Sequence, residues 1–305
     1  MMQDPQPDFQ PVPGKPEELL PGVRRLVAPN PSAMTFRGTN SYLVGTRGLA
    51  LIDPGPEMGK HLDALLAAVG PGQHISHILV THAHLDHSPL ARKLSDVTGA
   101  PVFAFGDALA GRSAVMTRLA EGGLVGGGEG VDTAFAPDHR LADRETVEGD
   151  GWCLEALHTP GHMANHLSFA LDDVLFSGDL VMGWATSLVS PPDGDLTAFM
   201  ASLRRLAERP WACFLPGHGD VVSQPAARIA KLLSHRESRE TSILAALSDG
   251  PATASELAAR IYIDTPPALL PAATRNVLAH LIDLVERSAV APIEEMGSEA
   301  RFSLS

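Results

Sequence analysis

Residues 81–87 read Thr-His-Ala-His-Leu-Asp-His and directly follow the apolar run Ile-Ser-His-Ile-Leu-Val at residues 75–80. The run has the length of a buried strand. The three imidazoles and one carboxylate of the cluster belong to His82, His84, His87 and Asp86. Such groups are the nitrogen and oxygen ligands that zinc, manganese and iron accept. A strand that ends in this cluster would carry all four side chains on one rigid edge, so the pattern predicts a metal site.

Three later segments repeat one arrangement, in which an apolar strand and a turn of small residues lead to a metal-binding side chain. These side chains are His162 after Thr-Pro-Gly, Asp179 after Ser-Gly, and His218 after Pro-Gly. A glycine before the ligand allows the backbone to turn sharply, so that each side chain faces the first cluster. One such turn alone is more often structural, but burying the first cluster without a metal would leave several polar groups unpaired. Together the five histidines and two aspartates predict a site for two divalent ions, with Asp179 suited to bridge them.

The remaining histidines and both cysteines are expected to be structural. Seven histidines lack any such context, and we expect them at the surface or hydrogen-bonded in the core: His61, His74, His77, His139, His158, His235 and His280. Cys153 and Cys213 lie within apolar runs, which predicts buried strand thiols rather than a disulfide framework. The low cysteine count favours a reducing, cytoplasmic location.

The composition is that of a folded chain with room for one large and one small domain. Of 305 residues, 44% are hydrophobic and 19% charged. No apolar stretch approaches the roughly 20 residues that span a bilayer, so no membrane partner is expected. Residues 1–20 are rich in Pro, Gln and acids and resemble no export or organelle signal, so we interpret them as a partly ordered lead-in. The net charge of −13 repels phosphate backbones at long range, although a metal cluster can reverse the sign locally.

Short apolar runs and helical patterns alternate along the chain, which predicts a layered α/β fold. Strands are expected at 41–44, 49–52, 75–80, 102–105, 154–157, 167–171, 174–176 and 212–215, and helices at 59–69, 90–97, 107–120, 197–208 and 225–247. Ser88 is the expected N-cap of the second helix, with Pro89 at its first position and Gly99 at its end. The glycine-rich segment 122–130 predicts a mobile surface loop, with a flap over the site as the alternative.

From about residue 235 the pattern becomes helical. Helices are expected at 236–247, 253–261 and 271–287, and a small ribbon at 291–293 and 301–304. Three helices and a ribbon are the elements of a winged helix.

The order His-x-His-x-Asp-His, Thr-Pro-Gly-His, Ser-Gly-Asp and Gly-His-Gly resembles the metallo-β-lactamase superfamily over roughly residues 20 to 230. Three further stretches, at residues 39–44, 217–222 and 234–240, resemble its beta-lactamase-like protein 2 subfamily, which carries a C-terminal winged helix. The resemblance implies a four-layer αββα sandwich. It divides the chain into a lead-in at 1–20, a catalytic domain at 21–234 and a winged-helix domain at 235–305.

The resemblance also implies a dinuclear zinc site, with manganese or iron as other candidate metals. His82, His84 and His162 would hold one ion, Asp86, His87 and His218 the other, and Asp179 would lie between them. True β-lactamases usually carry a cysteine in the second site, where this chain has Asp179, so antibiotic hydrolysis is the less expected activity. The family commonly has Gly-Gly after the first cluster, whereas this chain has Ser88-Pro89-Leu90, which changes the shape of the adjacent wall.

A two-metal site predicts hydrolysis by a hydroxide that bridges the ions, with Asp86 as both a ligand and the group that orients it. Asn40 and His166 are candidates for substrate contacts, with a supporting polar role as the alternative for each. Asp53 is expected to support the ligands or form a turn. A mononuclear-iron oxidoreductase and a nucleic-acid-binding regulator with an inert metal domain are the alternatives from other classes.

The subfamily implies two substrate classes, single-stranded RNA and thioesters or other activated acyl compounds. Residues 236–305 contain six Arg and no Lys against ten Asp plus Glu, whereas a surface that follows phosphates normally needs clustered cations. We therefore expect the winged helix to be a structural cap or the surface of a homodimer. A small acyl substrate is favoured over RNA.

Overall fold

A computed structural model of the protein describes residues 4–305. Two β-sheets face each other. In the first, seven strands lie side by side in chain order: β1 (Glu17–Leu20), β2 (Val23–Val27), β3 (Asn40–Val44), β4 (Gly48–Ile52), β5 (His74–Leu79), β6 (Val102–Ala104) and β7 (His139–Arg140). The second sheet contains β8 (Thr146–Gly149), β9 (Trp152–His158), β10 (Leu167–Leu171), β11 (Val174–Gly178) and β12 (Cys213–Pro216). In each sheet an antiparallel half continues into parallel strands, beginning at β4–β5 and at β11–β12.

Helices α1 (Gly59–Ala67) and α2 (Leu90–Thr98) cover the outer face of the first sheet, and α4 (Leu196–Ala207) and the first half of α5 (Pro225–Leu247) cover that of the second. Helix α3 (Ala114–Glu121) packs instead in the core of the winged-helix part. The winged-helix part adds α6 (Ala254–Ile261), a 3-10 turn (Pro267–Leu269), α7 (Leu270–Glu286) and a three-stranded sheet of β13 (Ala252–Thr253), β14 (Val290–Pro292) and β15 (Arg301–Leu304).

Strand alternation builds the layers. On β4, Leu49 and Leu51 face the core under α1 and α2, whereas Ala50 and Ile52 face the second sheet. Successive strand residues point to opposite faces, so one apolar strand serves two cores. Across the sandwich, Phe169 packs in the same inter-sheet core, and a fully buried aromatic side chain contributes about 1.5–3 kcal/mol. The predicted α/β/β/α sandwich with a C-terminal winged helix is confirmed.

The joint between the two parts is more extensive than the sequence predicted. Helix α5 runs unbroken for 23 residues across the predicted boundary at 234/235. Val115 and Met116 of α3 pack in the winged-helix core with Val277 and Phe302. Because helices of the first part complete the core of the second, the winged helix is held against the sandwich.

The N-terminal segment is part of the first sheet. Residues 17–20 form β1, which pairs with β2, and Phe9 is buried under the guanidinium of Arg25. The described part of the predicted lead-in is therefore integrated with the catalytic fold, while residues 1–3 lie outside the described residues.

One predicted helix start and one predicted N-cap were wrong. Helix α3 begins at Ala114 rather than at residue 107, because Gly111 takes a positive φ of 79° and Ser113 caps the helix by accepting from the Met116 amide. Ser88 does not cap α2, since its hydroxyl donates to the carboxylate of Asp132 at 2.8 Å and the helix begins after Pro89. Gly99 ends α2 in the left-handed conformation, as predicted.

One helical stretch corrects the expectation drawn from hydropathy. Pro267–Glu286 is long and apolar enough to cross a membrane by length and composition alone, with half of it buried inside the protein. Its buried residues, among them Val277, Leu281 and Ile282, pack in the winged-helix core. The apolar character of this stretch is that of a core helix.

Candidate metal centre

The seven predicted ligands meet at one edge of the sandwich. Each follows the end of a strand, because β5, β9, β11 and β12 all end at this edge and continue into short loops. All seven side chains are buried, with at most 9% of any residue exposed: His82, His84, Asp86, His87, His162, Asp179 and His218. The edge thus carries a dense, desolvated set of metal-binding groups.

The ligands form two groups joined by Asp179. In the first, His84 Nδ1 lies 3.0 Å from both His82 Nε2 and His162 Nε2. The second contains Asp86, His87 and His218, and its ligand atoms lie within 4.8 Å of one another. The Oδ2 atom of Asp179 lies 3.6 Å from Nε2 of His162 and 3.2 Å from Nε2 of His218. One carboxylate therefore reaches both groups.

The donor set fits a pair of divalent cations. Imidazole nitrogens and carboxylate oxygens in groups of three are the ligands that zinc-like metals prefer. Among the described residues, none gives Oδ1 of the buried Asp179 a hydrogen bond, and such an orphaned oxygen is costly unless a cation compensates it. Gly217 is needed here, because a Cβ atom at this position would lie 2.2 Å from Oδ1 of Asp179 and 2.7 Å from the His87 ring.

The two groups differ in protonation. Burial lowers the pKa of His84 to about 3 and that of His82 well below its usual range, so both imidazoles are neutral and ready to bind a metal. Burial also lowers the pKa of His218, but the carboxylates of Asp179 and Asp86 outweigh it and raise the pKa to about 10. In the second group a proton therefore occupies a position that a metal ion would take.

A second layer of hydrogen bonds orients the ligand rings. The carboxylate of Asp53 accepts from His87 Nδ1 at 2.8 Å and from the amide and hydroxyl of Thr81, each at 2.8 Å. The Nδ1–H of His162 donates to the carbonyl of Leu188 at 2.7 Å. These partners leave Nε2 of each ring free to face the centre. Asp53 thus supports the ligands, as the sequence suggested.

Two family models match the chain. Residues 34–218 match the Metallo-beta-lactamase superfamily, and residues 253–297 match the Beta-lactamase associated winged helix domain. The chain belongs to the metallo-beta-lactamase superfamily. It is thus a metal-dependent hydrolase whose catalytic fold is joined to a winged helix.

Relatives and solved structures agree with this assignment. The chain is 32% identical over 280 residues to the Beta-lactamase-like protein 2 homolog of Drosophila melanogaster, covering 87% of this chain and 88% of that protein. It is 29% identical over 265 residues to the Atrochrysone carboxyl ACP thioesterase of Passalora fulva, covering 81% of this chain and 69% of that protein. The crystal structure of a metallo-beta-lactamase family protein from Thermus thermophilus has a TM-score of 0.74 and 28% identity, covering 94% of this chain and all of that one.

The two predicted substrate contacts lie behind the metal-binding edge of the hydrolase. Asn40 is fully buried, and its amide donates to the carbonyls of Pro216 and Gly219, on either side of His218. His166 is also fully buried, and its Nε2 accepts from the backbone amide of Asp179 at 3.1 Å. Neither side chain lines the cavity beside the ligands. These contacts fit the supporting role that was the alternative, and a substrate contact by either residue stays a prediction.

A cavity of about 270 Å³ opens directly on the ligands. Met182, Trp184 and Leu188, from the loop after β11, line one wall. The winged-helix domain lines another, through Tyr262 and several residues of α7. Gly128 and Glu129 of the glycine-rich segment also line it, so this segment lies beside the site, as the flap alternative required.

Two arginines of α5 hold the loop that forms the first wall. Arg228 donates to the carbonyls of Met182 and Ala185. Arg236 donates to the carbonyl of Ser187 and, at 2.9 Å, to Oδ1 of Asn276 on α7. Residue 236 lies in the stretch 234–240 that carried the subfamily resemblance, but its contact with this loop was not predicted.

Three structural expectations were wrong. Cys153 is exposed and Cys213 is half-buried, because neighbouring residues such as Trp152 take the inward positions of the strand. His280 is buried, yet neither ring nitrogen has a hydrogen-bond partner among the described residues. Burial lowers its pKa to about 3, so the ring is neutral. His61, by contrast, is hydrogen-bonded in the core through Nε2, which pairs with the Ser41 hydroxyl at 2.9 Å, while its Nδ1 has no partner among the described residues.

Proposed function

We propose that this hydrolase is dinuclear and that it cleaves a thioester or another activated acyl compound. One observation carries the proposal. Two groups of three candidate ligands lie side by side, and the carboxylate of Asp179 lies close to both of them. We propose zinc as the metal because imidazole and carboxylate ligands suit it, with manganese and iron as alternatives.

The reaction consumes one water molecule. When bound, the two ions supply a hydroxide at neutral pH and polarise the scissile carbonyl oxygen. Asp86 lines the cavity beside the ligands and is held in place by the Thr39 hydroxyl at 3.3 Å, which suits its carboxylate to orient the nucleophile. The oxygen of water would bond to the carbonyl carbon and the carbon–sulfur bond would break, with one proton of the water passing to the leaving thiolate and the other to solvent. The products are a carboxylate and a thiol.

The charge of the winged-helix domain supports an acyl substrate. Arg287, at the C-cap of α7, is paired with Glu240 and Asp283, and Arg275 of α7 donates to the carbonyl of Val125. Both arginine side chains therefore already have partners within the protein, whereas a surface that binds a nucleic acid backbone presents basic side chains that can pair with phosphates. The similarity to a relative that is named a thioesterase points the same way.

Endonucleolytic cleavage of single-stranded RNA is the second candidate. The observation that favours it is the matched winged helix at residues 253–297, a fold that often contacts nucleic acid. Location in the cytoplasm and assembly as a homodimer remain predictions from the sequence.

A parallel turnover assay tests the proposal. The metal-loaded protein is given acyl-pantetheine thioesters and a short single-stranded RNA, and its metal content and oxygen uptake are measured. We expect thioester hydrolysis, two zinc ions per chain and no oxygen uptake, with turnover lost in His84→Ala. Salt-sensitive RNA cleavage without thioester hydrolysis would replace the proposed substrate. One iron per chain with oxygen consumption would replace the reaction class.

A further inference from the structure

We propose that the winged-helix domain selects the acyl group: one face of α7 and the loop after β11 form an apolar subsite for an uncharged acyl chain of about six to ten carbons. This inference rests on the proposed acyl hydrolysis and specifies its substrate. It assigns a catalytic-site role to a domain whose composition suggested only a cap.

The start of α7, with Leu269 just before it, presents three small or apolar side chains and the amide of Asn276 to the cavity. Leu269, Ala272, Ala273 and Asn276 all line it, at spacings of three, four and seven residues. Residues at such spacings lie on one face of a helix. Two adjacent alanines on that face leave space that a larger side chain would fill. These side chains therefore set the depth of the cavity on the side of the winged helix.

The facing wall is apolar and rigid. Met182 and Trp184 line it, and the indole of Trp184 stacks on Phe36 at 4.9 Å with an interplanar angle of 12°. Arg228 holds the backbone at residues 182 and 185, as described above. A wall that is fixed in this way selects ligands by size, because it cannot move to admit a longer group.

The lining excludes a polyanionic substrate from this part of the site. No Lys or Arg occurs among the described residues that line the cavity, and Glu129 adds a carboxylate at its edge. A phosphodiester chain seated here would be desolvated without a counter-charge, which is costly. For an uncharged hydrocarbon chain, by contrast, transfer from water into this apolar cavity lowers the free energy.

The size of the cavity sets the length of the chain. Its volume is about 270 Å³. An apolar cavity of about 150 Å³ holds one benzene molecule. The present cavity therefore accepts a group larger than a single ring, which gives the stated range of about six to ten carbons.

The experiment compares acyl chains of different length. Wild-type holoenzyme is assayed on acetyl- to dodecanoyl-pantetheine, alongside Ala272→Phe in the subsite and Ala245→Phe, an exposed position on α5, as the matched control. In the wild type, kcat/KM should rise by about fourfold per methylene and level off near the stated length. The octanoyl-to-acetyl ratio of kcat/KM should fall at least about tenfold in Ala272→Phe and stay at the wild-type value in Ala245→Phe.

A second variant keeps the test informative if Ala272→Phe does not fold. A binding measurement keeps it informative if the protein does not hydrolyse thioesters. Met182→Ala should shift the preferred chain to greater length by about two carbons or more. Binding of S-octyl-pantetheine thioether, which cannot be hydrolysed, is followed by calorimetry in all variants. If thioesters are not cleaved but the thioether binds in a length-dependent way that Ala272→Phe abolishes, the proposed reaction fails and the subsite stands. A flat length profile in both assays, or a folded Ala272→Phe with the wild-type profile, would overturn the inference.

Discussion

The carbonyl oxygen of Leu188 lies 2.7 Å from Nδ1 of His162, and it belongs to a loop that neither domain holds alone. Arg236 of α5 donates to the carbonyl of Ser187, and Asn276 of α7 accepts from the amide of Val189 at 3.3 Å. The carbonyl that orients a metal ligand is therefore fixed by residues on both sides of it. Through this loop the winged helix contributes to the geometry of the metal centre.

Replacing Arg236 should lower the metal affinity of the site, although Arg236 is not itself a candidate ligand. Arg236→Ala leaves the Ser187 carbonyl without its donor and removes one of the two donors to the Asn276 amide oxygen, and an unsatisfied buried group costs about 1–3 kcal/mol. We expect a lower free energy of unfolding, measured with urea, and weaker binding of the first metal ion in a calorimetric titration. Arg236→Lys should restore part of both, because an ammonium can still donate to one acceptor.

Arg260 provides the control for this variant. It is exposed on α6 and lies in the same domain. Arg260→Ala should leave metal binding and unfolding at wild-type values. Wild-type metal affinity in a folded Arg236→Ala would show that the loop keeps its geometry without the arginine.

Asp53 should tune metal affinity from behind the ligands. Its carboxylate accepts from His87 Nδ1 and from Thr81, so it fixes one ring and the end of the strand that carries the first cluster. Asp53→Asn keeps the shape and removes the charge, and loss of such a partner typically costs 10–100-fold in metal affinity. Asp63→Asn, at an exposed position on α1, is the matched control and should bind metal as the wild type does. Equal affinity in both variants would argue against a role for Asp53.

The convergence of the seven candidate ligands was predictable because their signal is local, whereas the signal of the residues that support them is not. Four ligands lie between residues 82 and 87, and His162, Asp179 and His218 each follow their own strand and turn. The contact between Arg236 and Ser187 joins residues 49 positions apart, through a helix whose pattern is that of any buried amphipathic helix. The sequence analysis missed short or polar edge strands such as β1 for a related reason. Such a strand has no apolar pattern of its own and is defined by its pairing with a neighbouring strand.

Metal binding should release protons from one half of the centre only. The pKa of His84 is about 3, so at pH 7 the first group binds its ion without losing a proton. The pKa values of His87 and His218 are raised, against the effect of burial, by the carboxylates of Asp86 and Asp179. Both rings therefore carry a proton at pH 7 that the second ion must displace.

The sign of the pH dependence follows from these protons. The affinity for the second ion should rise with pH up to about 10, the pKa of His218, and fall as the pH is lowered, while the first ion is bound almost equally from pH 6 to 8. Calorimetric titrations with zinc in two buffers of different ionisation heat measure the proton count of each step. Equal proton release for both ions would contradict the assignment of the two groups.

Asp179 should be essential for holding two ions because its carboxylate reaches both groups. Asp179→Asn keeps the size of the side chain but removes the charge that lies 3.6 Å from His162 and 3.2 Å from His218. Without this carboxylate the second ion loses a ligand, and two cations share a buried site with one negative charge fewer. We expect about one ion per chain by elemental analysis and a fall in kcat of at least about 10³-fold, since the bound nucleophile and the polarised carbonyl both need the pair.

Asp173→Asn, an exposed carboxylate in the turn between β10 and β11, should retain both ions and wild-type turnover. Full activity in a folded Asp179→Asn with two ions would show that the carboxylate does not join the two groups.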